Sequence, residues 1–506
     1  MMTVIIDGNS LKIEDVINVA RKGERVSISE KQKNIIIENR KKLEDLIAKQ
    51  NIIYGVNTGF GDLVNVKISN EKILELQKNL IRSHSSGVGE YFDKEIVRAA
   101  MLIRANTLAK GFSGIRYETV EKIIEFINRD IIPAVPSRGS VGASGDLAPL
   151  AHTVLSMMGE GKIFYRNMLM DSIHSIKDEK VEPLNLLEKE GVALINGTSF
   201  ISAISSIVIH DSINLLKNAV IGFSLTLEAL NGTDVAYNEH ILNLRPHPGQ
   251  LIIGKNIMNM VRGSEIIENS RKTKIQDAYS LRCTPQVLGP VYETIMFAKE
   301  IVEREINSVT DNPIIMDKSY SGGNFHGEYI AFIMDFMGIA ISEMANISER
   351  RIARMIDSKL SGLPPFLTKE PGLNSGFMIP QYTAAALVSE NKVLSHPSSV
   401  DSIPTSANQE DHVSMGMWSS IKALQILKNA TYVISIEMLT AAQALEFRKH
   451  EMSPQNKIIY DKIREYVKPL ENDRPLNPDI EKIFDMVRKG EFVRELELRN
   501  IISDFS

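Results

Sequence analysis

The chain has 506 residues, 43% hydrophobic and 24% charged, which is ordinary globular usage and enough apolar mass for a large core. Lys and Arg number 58 against 63 Asp and Glu, a formal charge of -5, so no basic excess exists to neutralise a phosphate backbone or an anionic leaflet, and nucleic-acid and membrane partners are disfavoured. The lone cysteine, Cys283, excludes an internal disulfide framework and a self-contained thiolate metal site, fits a reducing, cytoplasmic compartment, and reads as a buried, inert thiol.

The opening MMTVIIDGNSLKIEDV carries acids where a secretory signal has bases, and it lacks a long apolar run, so no signal is expected. Strand signals are scarce: Thr3 to Ile6, the Ile35 to Ile37 run, which reads equally as helix, and Lys162 to Tyr165. Helical periodicity dominates after residue 80. Asp93 is placed to cap a segment reaching Lys110, with Ile96, Ala99, Ala100 and Ile103 on one stripe and Gly111 at the stop. A second helix runs from Tyr117 to Asn128 and halts before Pro133 and Pro136. The stretch from Asp171 to Pro183 is the least patterned.

Later segments are longer: Pro285 to Ser308, Glu328 to Ile356, and Gly416 to Lys449, each repeating Ile, Leu, Met and Ala every three or four residues. Helices of this length are expected side by side in a bundle, with near-continuous apolar surface pointing to further burial between subunits. The apolar stretches Ile201 to Leu230 and Tyr329 to Ile347 are interrupted by His210, Asp211 and Lys217, and by Asp335 and Glu343, which makes them too polar for membrane spans. The expected fold is mainly α, with a loop-rich part over 1–200 and a long-helix bundle over 201–506.

Chemistry concentrates in Arg138-Gly-Ser-Val-Gly-Ala-Ser-Gly-Asp-Leu-Ala-Pro-Leu-Ala-His152, which reads as a tight glycine-rich loop entering a helix. It lacks the Lys-Ser/Thr that follows a phosphate-binding loop, and Gly142-Ala-Ser-Gly145 does not supply the Gly-x-Ser-x-Gly of a nucleophile elbow. Ala-Ser-Gly has another chemistry. A turn that presses the Gly145 nitrogen onto the Ala143 carbonyl carbon allows ring closure, and dehydration of Ser144 then gives 4-methylidene-imidazol-5-one, an electrophile that no side chain provides. Gly145 leaves its nitrogen free, Ala143 fits a compressed turn, and Ser144 supplies the hydroxyl that departs.

The segment Gly139-Ser-Val-Gly-Ala-Ser-Gly-Asp-Leu-Ala-Pro-Leu150 resembles the signature of the aromatic amino acid ammonia-lyases. The resemblance continues at Tyr54-Gly-Val-Asn-Thr-Gly-Phe-Gly61, Ser83-His84, Leu194-Ile-Asn-Gly-Thr198, Gln276-Asp-Ala-Tyr-Ser-Leu-Arg-Cys283, Ser321-Gly-Gly-Asn-Phe-His326 and Ser406-Ala-Asn-Gln-Glu-Asp-His-Val-Ser-Met415. Within that family the chain is most similar to the histidine enzymes. The resemblance implies a fumarase/aspartase-like helical architecture, a homotetramer with sites shared between subunits, the self-made ring as sole cofactor, no catalytic metal, and conversion of L-histidine to trans-urocanate and ammonia. The alternative is a tyrosine ammonia-lyase or tyrosine 2,3-aminomutase using the same ring, which His84 and the stretch Arg82 to Gly89 permit.

Roles carried over by the resemblance follow. Tyr54 is the base that takes the β-proton, and a phenol needs a lowered pKa for that task. Arg282 clamps the substrate carboxylate bidentately; on a helical reading Tyr279 lies one turn before it and Gln276 a further turn back, along one wall. Asn196 and Phe325 orient or shield the ring, and Asp146 aids its formation. His84 and Glu410 set substrate choice, since a polar imidazole leaves donors and acceptors that must be paired; Glu410 also counts with the catalytic group of Tyr54, Tyr279 and the Ala143-Ser144-Gly145 triplet. The chain departs from the histidine-enzyme pattern at Ala278, where proline is typical, and at Thr284, where glutamine is typical. His84, His152, His326 and His412 lie near the motifs, but none has zinc-site spacing, and no metal is expected.

Overall fold

A computed structural model describes residues 3–502 other than 167, and residue 505. Helix dominates among these, as the periodicity predicts. The longest helices are Ser199–Ala229, Thr284–Glu305, Glu328–Ile356 and Gly416–Leu445. They divide between two compact units, the first comprising Met1–His210, Lys299–Asp335 and Pro397–Ile421, the second Asp211–Ala298, Phe336–His396 and Lys422–Ser506. This partition is drawn differently from the sequence division at residue 200, because it returns two later segments to the first unit. Most of its divisions fall inside long helices, where no change of composition marks them.

The first unit is built around Lys94–Ala109, whose residues from Ile96 to Ala109 are all buried except Arg98 and which packs against the helices Ile13–Lys22 and Tyr117–Asn128. Asp93 occupies its N-cap position, but its side chain makes no capping hydrogen bond among the described residues. Thr3–Ile6 is a strand, paired in parallel with Arg25–Ile28, a strand too short to show alternation in the sequence. Ile35 to Ile37 lies in the helix Glu30–Ala48, where Ser29 accepts the Gln32 amide at 3.2 Å as an N-cap. Lys162–Tyr165 is the centre of a three-stranded antiparallel sheet with Ile132–Pro133 and Met168–Asp171. The unpatterned stretch beyond it contains the helix Ser172–Asp178.

Backbone pairing recruits the two later segments. The Ile315 amide donates to the Phe112 carbonyl at 2.8 Å, Asn39 Nδ2 donates to the Ile315 carbonyl at 2.8 Å, and the Met415 amide donates to the Val141 carbonyl at 3.0 Å. Buried backbone groups need partners, so segments distant in sequence supply them.

The second unit buries Leu225, Leu227, Ile253, Ile257, Leu288, Ile434, Ile436 and Leu439 between helices. Glu437, fully buried, accepts from Thr226 Oγ1 at 2.9 Å and from Arg351 Nη2 at 2.8 Å, and Arg351 also stacks over Phe223. Breaking such a buried pair by removing one partner costs about 3–5 kcal/mol, because the other charge is stranded. Cys283 is partly exposed rather than buried.

Ser199–Ala229 and Glu328–Ile356 are long and apolar enough to cross a membrane by length and composition, against the expectation that their charged residues disqualify them. Of their most apolar windows, 78% and 61% is buried within the protein, as in core helices.

Candidate active site

The loop after the strand Pro136–Arg138 carries Gly139 to Gly145 into the helix Leu147–Met157. Its conformation is fixed from behind by the turn Asn196 to Thr198, which separates the helices Glu190–Ile195 and Ser199–Ala229. The Gly197 amide donates to the Ser144 carbonyl at 3.1 Å, the Asp146 amide donates to the Gly197 carbonyl at 2.7 Å, and Gly145 and Gly197 form a parallel bridge. Gly145 has a φ of 72°, and a Cβ there would sit 2.1 Å from the Gly197 carbonyl oxygen. Only glycine fits this approach.

Asp146 stands at the N-cap position of Leu147–Met157, yet its side chain serves another helix. Oδ2 accepts the Phe200 amide at 2.8 Å and the Ile201 amide at 2.9 Å, satisfying free donors in the first turn of Ser199–Ala229, while Ser140 Oγ donates to Oδ1 at 3.2 Å. Burial pushes the carboxyl up to about 7, outweighing the opposing bonds from Ile201, Ser140 and Phe200. This carboxyl lies directly beside the Gly145 backbone in sequence.

A cavity of about 440 Å³ opens over the triplet. Tyr54, His84, Ala143, Ser144, Gly145, Asn196 and Glu410, all named from the sequence, line it together. Two of them present unused polar atoms: Asn196 Oδ1 and Glu410 Oε2 are buried without a hydrogen-bond partner among the described residues. Such atoms cost free energy unless something bound in the cavity pairs them. The compressed turn, the glycine-only contact and these two orphaned acceptors fit the condensed ring that Ala-Ser-Gly can form.

Tyr54 accepts the Gly61 amide at 3.1 Å and sits edge-on to Phe60. That bond favours the phenolate, but burial, assisted by the charge of Glu410, raises the phenol above its usual value. The depression expected of a base is therefore not supplied within this cavity. His84, the last residue of the helix Ile73–His84, has its pKa lowered by burial and exchanges a hydrogen bond with Ser83 Oγ at 3.0 Å, so it presents a neutral imidazole. Glu410 is held by a turn in which Ser406, Ala407 and Asn408 have φ of 49°, 53° and 69°, and the Thr405 amide donates to the Glu410 carbonyl at 3.0 Å. Consecutive left-handed residues other than glycine cost about 1–2 kcal/mol each, strain that concentrates where a side chain must be aimed.

Phe325 is half-buried but is not among the cavity's lining residues. Gln276, Tyr279 and Arg282 belong to the second unit and do not line it either. Nor do they share one helical wall: the helix there is only Tyr279–Arg282, and Gln276 precedes it in irregular chain. Arg282 stacks over the Tyr279 ring at 4.6 Å, its Nε has no hydrogen-bond partner among the described residues, and Tyr279 is 71% exposed. Ala278 caps that short helix, and Thr284 is buried, donating to the Ser280 carbonyl at 3.3 Å.

Sequence reasoning assigned no role to Gly197, although it stands in the Leu194 to Thr198 motif, where an Asn-Gly pair marks a turn. Behind it lies a buried cluster that left no signal: Lys189 Nζ pairs with Asp311 Oδ2 at 2.7 Å, and Arg104, lowered by burial to about 10, faces the same Asp311. A Cβ on Gly197 would approach Arg104 Nη1 to 2.5 Å. The histidines also separate. His152 Nε2 accepts the Gly87 amide at 3.0 Å, a structural bond, while His326 and His412, 86 residues apart, come together with Glu328.

The chain matches the aromatic amino acid lyase family over residues 11–465. A protein of Thermoplasma volcanium described as a probable histidine ammonia-lyase is 54% identical over 489 residues, 96% of this chain and 99% of that one. Among solved structures, histidine ammonia-lyase from Trypanosoma cruzi superposes with a TM-score of 0.92 at 39% identity, covering 99% of this chain and 96% of the other. A tyrosine aminomutase from Streptomyces globisporus superposes with a TM-score of 0.93 at 35% identity, covering 98% of each chain. With this extent of agreement in sequence and fold, the chain belongs to the aromatic amino acid lyase family.

Proposed function

We propose that this protein is a cytoplasmic histidine ammonia-lyase, which removes ammonia from L-histidine to leave trans-urocanate. The observation that carries the reading is the Ala143-Ser144-Gly145 turn, pinned by Gly197 and facing a cavity shared by Tyr54, His84, Asn196 and Glu410. A 4-methylidene-imidazol-5-one ring made from that triplet would supply the electron sink that expulsion of a poor leaving group requires.

The protein's own residues do the rest. Tyr54 takes the β-proton at its phenolic oxygen once its pKa is lowered by cationic groups brought by substrate and neighbouring copies. Glu410 accepts an imidazole N–H of the substrate, and neutral His84 meets the other imidazole nitrogen, so that both polar edges are paired. Asn196 orients the reacting group through its unpaired Oδ1, Phe325 shields it, and Asp146 shuttles the proton during ring formation.

Arg282 is the carboxylate clamp, with Tyr279 and Gln276 beside it. The family resemblance implies sites shared between subunits, so the working site is completed by other copies in a homotetramer. The exposed Tyr279 suits that assignment.

Two measurements test the proposal. The purified protein given L-histidine should generate the urocanate chromophore, and its intact mass should fall short of the translated sequence by two waters. A full-length mass in active enzyme removes the ring, while a mass deficit with turnover of tyrosine instead of histidine assigns the tyrosine alternative.

A further inference from the structure

Outside the cavity, three side chains with metal-binding atoms converge. The His326 and His412 rings stack with centroids 5.4 Å apart and planes 19° from parallel, and His412 Nδ1 lies 3.4 Å from His326 Nε2. Glu328, the first residue of the helix Glu328–Ile356, completes the group: one atom from each residue lies within 4.8 Å of the other two. Glu328 Oε2 is buried and has no hydrogen-bond partner among the described residues. Burying a carboxylate oxygen without a donor is costly unless a cation comes to it.

The spacing of the two nitrogens is that of a shared ion. Two nitrogens bound to one tetrahedral ion at about 2.0 Å are separated by roughly 3.3 Å, and the imidazole nitrogens already stand at 3.4 Å. A hydrogen bond at 3.4 Å is long for N–H···N, so the bare pair is weakly joined. The Glu328 carboxylate stands within 4.8 Å of both nitrogens on a partly exposed side chain. Two imidazoles and one carboxylate select a borderline transition ion such as Zn²⁺ over Mg²⁺ or Ca²⁺, which prefer all-oxygen shells, and a fourth position stays open to water.

We propose that His326, Glu328 and His412 form a Zn²⁺-class divalent cation site, distinct from the catalytic cavity. His326 directly follows Phe325, and His412 lies two residues after Glu410. A bound ion ties the segment bearing Phe325 to the strained turn bearing Glu410, holding both as the site needs them. The sequence hid this because the spacing that signals a zinc site is local, whereas His326 and His412 meet only through the fold.

The test uses the full-length protein, stripped with a chelator and titrated with Zn²⁺ against a chromogenic competitor; Co²⁺ in a parallel sample reports coordination through its visible bands. We expect one equivalent per chain, weakened by about 10-fold or more in His326→Ala and in His412→Ala, and weakened also in the isosteric Glu328→Gln. His174→Ala, which removes an exposed histidine elsewhere, should bind as the parent does. Zn²⁺ should raise the Tm of the parent and of His174→Ala but not of His412→Ala, whose exposed side chain can be removed without opening a core. Absence of binding by the parent, or equal affinity in the parent and in both histidine variants, overturns the proposal and leaves the pair as a ring contact alone. Neither outcome bears on whether histidine is the substrate.

Discussion

The Gly145 and Gly197 backbones meet so closely that a methyl group on Gly145 would lie 2.1 Å from the Gly197 carbonyl oxygen. Gly197 is equally confined, with a φ of 140° and Arg104 Nη1, Thr310 Oγ1 and the Thr310 carbonyl all within 3.0 Å of a virtual Cβ. Gly197→Ala must therefore push the Asn196 to Thr198 turn away from the triplet. We expect a loss of roughly 2 kcal/mol or more in stability and an intact mass with the two waters retained. A variant that keeps both its Tm and its mass deficit would show that this contact does not shape the loop.

Tyr54 supplies a second test. Its pKa is raised by burial first and by Glu410 as a lesser cause, so the phenolate fraction grows as pH rises. In the assembled enzyme, kcat/KM for histidine should climb along an acid limb set by Tyr54, and Glu410→Gln should move that limb to lower pH by removing a repelling charge. Tyr54→Phe should lower kcat by about 100- to 10,000-fold with the far-ultraviolet circular dichroism unchanged. A phenylalanine variant as fast as the parent would remove Tyr54 from the mechanism.

On the proposed reading, Glu410 also governs substrate choice. Its unpaired buried Oε2 is the acceptor offered to an imidazole N–H, and loss of that charged acceptor should cost about 10- to 100-fold in kcat/KM for histidine. Tyrosine, which brings no such donor, should lose less. Equal losses on both amino acids would mean that Glu410 serves the cavity's shape rather than the imidazole.

Asp146 links the site to stability. Its folded pKa of about 7 lies above the ordinary 3.8, so the folded state holds the proton more tightly. The stability this contributes is fully present below about pH 3.8 and is lost as pH rises through 7. The difference in unfolding free energy between the parent and Asp146→Asn should accordingly shrink from pH 4 to pH 7 in denaturant titrations. A difference that stays constant across this range would place the carboxyl's pKa near its ordinary value. The same variant should acquire the mass deficit more slowly during expression.

The sequence by itself determined the helical character, the family motifs and seven of the residues that line the cavity. Apolar periodicity is a local property, and Tyr54, His84, Asn196 and Glu410 stand in short motifs that can be read along the chain. The tertiary structure decided what depends on distant chain segments meeting. It directed the Asp146 carboxylate to the start of Ser199–Ala229 instead of its own helix, and it brought His326 and Glu328 to His412. It also left Tyr54 without a cationic side chain beside it in the cavity lining among the described residues. Buried polar groups take whichever partner packing delivers, and no spacing along the chain records that choice.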